Sequence, residues 1–145
     1  MDIKLINYKL YKGKYIVYET KGKGKEYDYD GKISYEGGYL NRKRNGKGKE
    51  YNEYGELEFE GEYLNGKKNR KGKEYNDNGK LKFEGEYLNG ERKGKGKEYD
   101  GELIFEGEYL NGKRNGKGKE YNYYGKLIFE GDYLNGERMN KIKFF

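Results

Sequence analysis

The chain repeats itself. Taking as position zero the aromatic residue that opens each copy, Tyr11, Tyr35, Phe59, Phe83, Phe105 and Phe129 recur at intervals of 24, 24, 24, 22 and 24 residues. A glycine follows at position two, from Gly13 to Gly131, and a tyrosine at position four, from Tyr15 to Tyr133. Ile or Leu stands at position five, and Tyr27, Tyr51, Tyr75, Tyr99, Tyr121 and Phe145 stand at position sixteen. Self-similarity at this period marks a stacked array in which each unit buries its apolar face against its neighbours. Units starting at 11, 35, 59, 83, 105 and 129, with 1–10 as an N-terminal cap, make residues 1–145 a single array.

Each unit reads as a β-hairpin. "LEFEGEYL" (Leu57 to Leu64) alternates with period two, which puts Leu57, Phe59, Gly61 and Tyr63 on one face and Glu58, Glu60, Glu62 and Leu64 on the other. "KGKEY" (Lys71 to Tyr75) sets Gly72 and Glu74 against Lys71, Lys73 and Tyr75. A helix is disfavoured, since a glycine costs about 1 kcal/mol in a helix interior and every unit holds several.

Four links between units, "DYDG", "NEYG", "NDNG" and "NYYG", begin with Asp or Asn and end on Gly, as a hairpin loop closing at positive φ requires. The fifth is the two-residue turn Asp100–Gly101, and a deletion of two preserves every side chain's face where a deletion of one would invert them all. Within each unit, Asn65–Gly66 invites a tight turn, but Tyr18 and Arg42 take the glycine's place in the first two units. A tight turn and a longer loop both remain open there.

The composition decides what else the chain can be. It is 40% charged and 32% hydrophobic, proportions that favour disorder, yet 17% aromatic, which opposes it. With no Cys and no His it has no disulfide framework, no thiolate metal site and no imidazole base. No cofactor is expected. The carboxylates recur with the array and have lysines nearby, whereas a catalytic pair is singular and sits in a pocket. The "GKGK" runs lack the hydroxyl and the helix of a phosphate-binding loop, and the acids lack EF-hand spacing. The chain is therefore expected not to be an enzyme. No apolar run approaches a membrane span and "MDIKLINYKLY" lacks a signal-peptide core, so an intracellular, cytoplasmic location is expected, with peripheral membrane or cytoskeletal association as a variant.

The pattern aromatic-Glu-Gly-x-Tyr-x-Asn-Gly followed by Gly-x-Gly, most complete in "FEGEYLNGKRNGKGKEY" (Phe105 to Tyr121), closely resembles the MORN repeat (membrane occupation and recognition nexus). The resemblance covers all but about the first ten residues. It implies an all-β fold: an elongated, single-layer antiparallel β-meander of six hairpins, curved like a gutter. The residues agree, since glycines at positions two, eleven and thirteen clear a strip on which the rings at zero and four can stack. Arg70 replaces one of these glycines, so a displaced ring is expected beside it.

The function expected is a non-catalytic scaffold for protein–protein interaction, with homodimerisation implied by the resemblance. Tyr39, Tyr63, Tyr87 and Tyr109 are candidate protein contacts, although packing alone also explains them. The alternative is peripheral binding of phosphoinositides or other anionic lipids, as the family's name implies. Its candidate patch is Arg42, Lys43, Arg44, Lys47, Lys49, Lys67, Lys68, Arg70, Lys71 and Lys73. Net charge is +6, but units two to five carry 0, +3, −2 and +2, so charge reads as free to vary and a nucleic-acid partner is not expected. Ile142, Phe144 and Phe145 in the atypical last unit are either a terminal cap or an edge that pairs with a second molecule.

Overall fold

The computed structural model describes residues 7–11 and 13–140. They form one antiparallel sheet of 13 strands paired strictly in chain order. The strands are β1 (Asn7–Tyr11), β2 (Lys14–Tyr18), β3 (Lys23–Tyr27), β4 (Ile33–Leu40), β5 (Lys43–Tyr51), β6 (Leu57–Leu64) and β7 (Lys67–Tyr75). They continue as β8 (Leu81–Leu88), β9 (Glu91–Asp100), β10 (Glu102–Leu110), β11 (Lys113–Tyr121), β12 (Leu127–Leu134) and β13 (Glu137–Arg138). The fold is the expected all-β meander of hairpins. Six hairpins imply twelve strands; the thirteenth arises because a turn containing Gly13, at φ 77°, splits the first unit's leading strand into β1 and β2.

One line of residues organises the sheet. Gly24, Gly37, Gly48, Gly61, Gly72, Gly85, Gly96, Gly107, Gly118 and Gly131 are partners across ten successive strands. Rings of the neighbouring residues lie against this ladder. A Cβ at Gly72 would stand 2.5 Å from Phe59 Cζ and 3.0 Å from Tyr87 Cε2. From Tyr35 to Tyr133 the rings at zero and four form one zigzag of edge-to-face pairs, for example Phe59–Tyr63 at 5.8 Å, Phe59–Tyr87 at 5.3 Å and Phe83–Tyr87 at 5.8 Å. They do not stack in parallel. Each edge-to-face pair adds about 0.5–1.5 kcal/mol beyond simple burial. Tyr35, Phe59, Phe83 and Phe105 are at most 1% exposed, which a single-layer sheet achieves only through this mutual cover.

The turns settle what periodicity left open. Asn65–Gly66, Asn89–Gly90, Asn111–Gly112 and Asn135–Gly136 each have positive φ at both residues, the two-residue turn that matches strand twist. Arg42, at φ 63°, adopts the same conformation in the glycine's place. In the first unit the turn lies at Lys21–Gly22, and Tyr18 is in β2. The links close on Gly31, Gly55, Gly79 and Gly125 at φ 75–81°, with Asn52 Oδ1 accepting from Tyr54 N and Glu56 N at 3.0 Å. Shortening the fifth link leaves Tyr99 opposite Leu103, the equivalent of Tyr51 opposite Leu57, so the register downstream is unchanged.

Two expectations need correction. A bulge passes the register from Glu50–Phe59 directly to Tyr51–Leu57, so Leu57 shares Tyr51's face and not Phe59's. The position-eleven glycines are not part of the strip under the rings. Gly46, Gly94 and Gly116 have φ of 75°, 80° and 101°, and Arg70 takes φ 67° at the same point. Arg70 therefore displaces no ring: Tyr87 is 5% exposed beside it. Its cost is backbone strain.

Two substitutions separate these roles. Gly61→Ala would set a Cβ 2.6 Å from Lys71 O and 2.7 Å from Gly72 Cα, which are backbone atoms that cannot swing aside. It should destabilise by about 1–3 kcal/mol in urea unfolding. Arg70→Gly relieves a left-handed residue and should stabilise by about 1 kcal/mol in the same measurement.

Candidate functional site

The two faces of the sheet are built differently. On the ring face, the residue at position nine is Arg44, Lys68, Arg92, Arg114 and Arg138. Each lies over the ring at position zero: Arg44 Cζ 4.3 Å from the Tyr35 centroid, Lys68 Nζ 4.1 Å from Phe59, Arg92 Cζ 3.9 Å from Phe83, Arg114 Cζ 4.0 Å from Phe105 and Arg138 Cζ 4.4 Å from Phe129. Between these cations stand the position-fifteen glutamates. Arg44 bridges Glu26 at 2.6 Å and Glu50 at 2.8 Å. Arg92 bridges Glu74 at 2.5 Å and Glu98 at 3.7 Å, and Arg114 joins Glu98 to Glu120.

The tyrosines at position four point their hydroxyls into the same line. Tyr39 donates to Glu26 at 2.8 Å, Tyr63 to Glu50 at 2.5 Å, Tyr87 to Glu74 at 2.6 Å and Tyr109 to Glu98 at 2.7 Å. Burial, and then these bonds, hold the four phenols well above their ordinary range. Burial acts to raise the carboxyls of Glu74 and Glu98, but the bonds from Arg92 and Tyr87, and from Arg114 and Tyr109, outweigh it and lower both. These tyrosines, the candidate contact row, are 4–9% exposed. They are packing elements beneath a cover of cations and offer a partner no open surface.

The opposite face is open. It encloses a groove of about 1780 Å³ running along the array, lined by ten lysines, ten acids and ten glycines. Its charges form bands. From β3 to β11 the odd strands present Lys-Gly-Lys, as in Lys47 and Lys49 on β5 and Lys71 and Lys73 on β7. The even strands β6, β8 and β10 present Glu-Gly-Glu, as in Glu60 and Glu62 on β6 and Glu84 and Glu86 on β8, while β12 has Asp132 as its second acid and β4 has Gly38 in that place. One row runs Lys25, Glu36, Lys49, Glu60, Lys73, Glu84 as successive cross-strand partners and continues so to Glu130.

The acids in these bands are tied down. Glu36, Glu60, Glu84 and Glu106 accept from the hydroxyls of Tyr51, Tyr75, Tyr99 and Tyr121. Glu62, Glu86 and Glu108 accept from the backbone N–H of Lys71, Lys95 and Lys117. The lysines are not tied. Among the described residues, of the ten only Lys25 and Lys119 form ion pairs, with Glu19 at 3.7 Å and Glu130 at 3.9 Å. Beyond the bands, on the side of the tight turns, stand Leu40, Leu64, Leu88, Leu110 and Leu134, 42–58% exposed. On the other side stand Tyr51, Tyr75, Tyr99 and Tyr121.

The candidate lipid patch does not come together. Lys47, Lys49, Lys71 and Lys73 lie in the groove opposite glutamates, while Arg44 and Lys68 cover rings on the other face. Arg42, Lys43 and Lys67 lie at the tight-turn edge and Arg70 in the position-eleven kink. Ile142, Phe144 and Phe145 lie outside the described residues. Among the described residues no group of three or more acids is placed to hold a metal ion, and no helix is long and apolar enough to cross a membrane.

Sequence reasoning missed two rows. The position-nine cation and the position-fifteen glutamate each recur in five of the six units, as the position-thirteen glycine does, and that recurrence was the available signal. Charge counted per unit hid it, because the swings come mostly from turn and link residues such as Lys43 and Glu91, or Glu56 and Lys80, while the ring-covering charges and, but for Gly38, the banded charges hold.

A meander of near-identical hairpins with one ring ladder defines a repeat-scaffold protein. The family model for the MORN repeat matches residues 35–52, 59–80, 83–102 and 105–122. That is more than half the chain, and the chain belongs to the MORN-repeat family. No curated protein matches it.

The hydroxyls predict the response to base. Burial, then the bonds to Glu36, Glu60 and Glu84, push Tyr51, Tyr75 and Tyr99 up to about 12; for Tyr121 the bond to Glu106 leads, to the same value. Because the folded state raises these pKa values, the stability they bring is complete below the unfolded value of about 10 and is lost as pH rises toward 12. A tyrosinate absorbance titration should show these groups ionising late, and the sheet's circular dichroism should collapse in that window. Ionisation of all tyrosines near pH 10 with the sheet intact would contradict it.

Proposed function

We propose that the chain is a non-catalytic scaffold that binds a partner protein along its banded groove. The observation that supports this is the asymmetry within the groove: carboxylates restrained by tyrosine hydroxyls and backbone amides, beside eight lysines without an ion pair among the described residues. Such lysines can meet a partner's carboxylates without first breaking an internal bridge. Nine of the ten groove acids, all but Glu19, stand at the two positions flanking the position-two glycine, and this recurrence supports a non-catalytic role, since none of the nine is set apart from the rest. The groove's equal numbers of lysines and acids favour a protein over an anionic lipid, whose headgroups need a surplus of positive charge. Homodimerisation belongs to the same proposal.

Beads carrying the folded chain should retain a partner protein that a Lys71→Ser, Lys73→Ser, Lys95→Ser, Lys97→Ser variant loses about tenfold, with thermal unfolding little changed. Equal retention by both would move the contact off the groove. Co-sedimentation with phosphatidylserine vesicles that persists at physiological salt would favour the lipid reading instead. A monomer mass in light scattering would remove the dimer.

A further inference from the structure

The period of the groove restricts what can lie in it. Lys-Gly-Lys bands occur on β3, β5, β7, β9 and β11, one per repeat, two strands apart. At about 4.8 Å per strand, like bands recur every ~9.6 Å. A ligand lying along the groove meets every band only if one of its faces returns at that distance. An extended β-strand presents the same face every ~6.7 Å and falls out of step at once. An α-helix returns after seven residues, about 10.5 Å, and drifts by ~3.6 Å over the four intervals between five bands. A polyproline II helix has three residues per turn and a rise of about 3.1 Å, so each face returns at ~9.3 Å, and the drift over four intervals is ~1.2 Å. A lysine side chain absorbs that.

The cross-section of the groove has the same threefold character. Along β6, Leu64 stands three residues from Gly61; along β7, Tyr75 stands three residues from Gly72. The glycine line is thus flanked at about 10 Å on one side by the leucine row and on the other by the tyrosine row. Both rows repeat once per hairpin, in step with the lysine bands. A ligand with three residues per turn presents one to the floor, one to the leucines and one to the tyrosines.

We propose that the groove binds a polyproline II segment with an acidic residue at every third position. The acid of each triplet sits over the glycine line between the two lysines of one band, such as Lys71 and Lys73 or Lys95 and Lys97. The next two residues, apolar or proline, lie against Leu64 or Leu88 and against Tyr75 or Tyr99. Proline suits the last place, because its φ is already that of the bound form and the groove has no free strand edge to receive its missing N–H. The bands of Glu60 and Glu62, or Glu84 and Glu86, fall half a turn away, where they repel a chain shifted out of step. This inference rests on the groove being the binding face and adds the class of ligand.

The test uses the full chain and fluorescein-labelled peptides read by anisotropy. (Glu-Leu-Pro)5 should bind, and its affinity should fall as salt rises. A peptide of the same composition in scrambled order should bind at least about tenfold more weakly. Each triplet removed from five should weaken binding about two- to fivefold, the range of an exposed ion pair, and a sixth and seventh triplet should add nothing, because there are five bands. Lys71→Ser with Lys73→Ser should cost about one triplet's worth, while Leu40→Ser, at the exposed rim, should leave unfolding unchanged and weaken binding. Equal binding of the scrambled peptide, or affinity that keeps rising past five triplets, would overturn the proposal. Tighter binding of a helical peptide with Glu at every seventh position would overturn it too and leave the groove as the binding face. Failure of all three peptides to bind would also overturn it, and retention of a partner by the wild-type beads but not by the four-lysine variant would then show that the groove reading survives.

Discussion

The fold depends on the missing Cβ atoms of ten paired glycines. A one-layer sheet has no second layer to bury its apolar side chains. This one buries them by laying each ring over backbone that carries no side chain, and by standing the next ring on edge against it. Phe59 lies along Gly61 and Gly72, and Tyr87 reaches Gly72 from the following hairpin. The unit of cohesion is therefore a pair of neighbouring repeats and not a single hairpin, as expected for an array whose units cannot bury a face alone.

Covering the rings creates a second demand. Rings on one face of a single layer would remain open to water from above. The arginines at position nine close them, and the position-fifteen glutamates hold the arginines in place from both sides. Lys68 shows what the geometry asks of the cation. It covers Phe59 as the arginines cover their rings, but reaches only Glu50, at 3.8 Å, where Arg92 and Arg114 span two acids. Lysine's single ammonium cannot fork as guanidinium does, so the line of charge breaks there while the hydrophobic cover does not.

Much of this could be read before any coordinates. The hairpins, the two faces, the loop-closing glycines and the harmless deletion at Asp100–Gly101 follow from period two and from the demand for positive φ. What could not be read is instructive. Arg70, standing where a glycine is due, looked like a loss of ring clearance because glycines at eleven and thirteen past the aromatic seem alike in sequence; only the backbone separates Arg70 at φ 67° from the extended Gly72. The bulge that turns Leu57 toward Tyr51 leaves no mark on a sequence that alternates through it. The position-four tyrosines, read as packing or as contacts, look the same in either role until the carboxylates that receive their hydroxyls are placed.

The division between the faces bears on how such an array can acquire a partner. Every strongly coupled interaction, ring on glycine, cation on ring, tyrosine on glutamate, either lies on the ring face or fixes a groove carboxylate. The groove lysines are left outside that network, so substituting them changes recognition with little cost to folding. The spacing of the bands, by contrast, is set by strand pairing and cannot drift. The 22-residue unit makes the point: its two missing residues come out of a loop, Tyr99 still faces Leu103, and Lys97 still faces Glu106. The array thus keeps a constant distance between charges even where the number of residues per repeat changes, and a ligand that reads it must carry its own period in length and not in sequence.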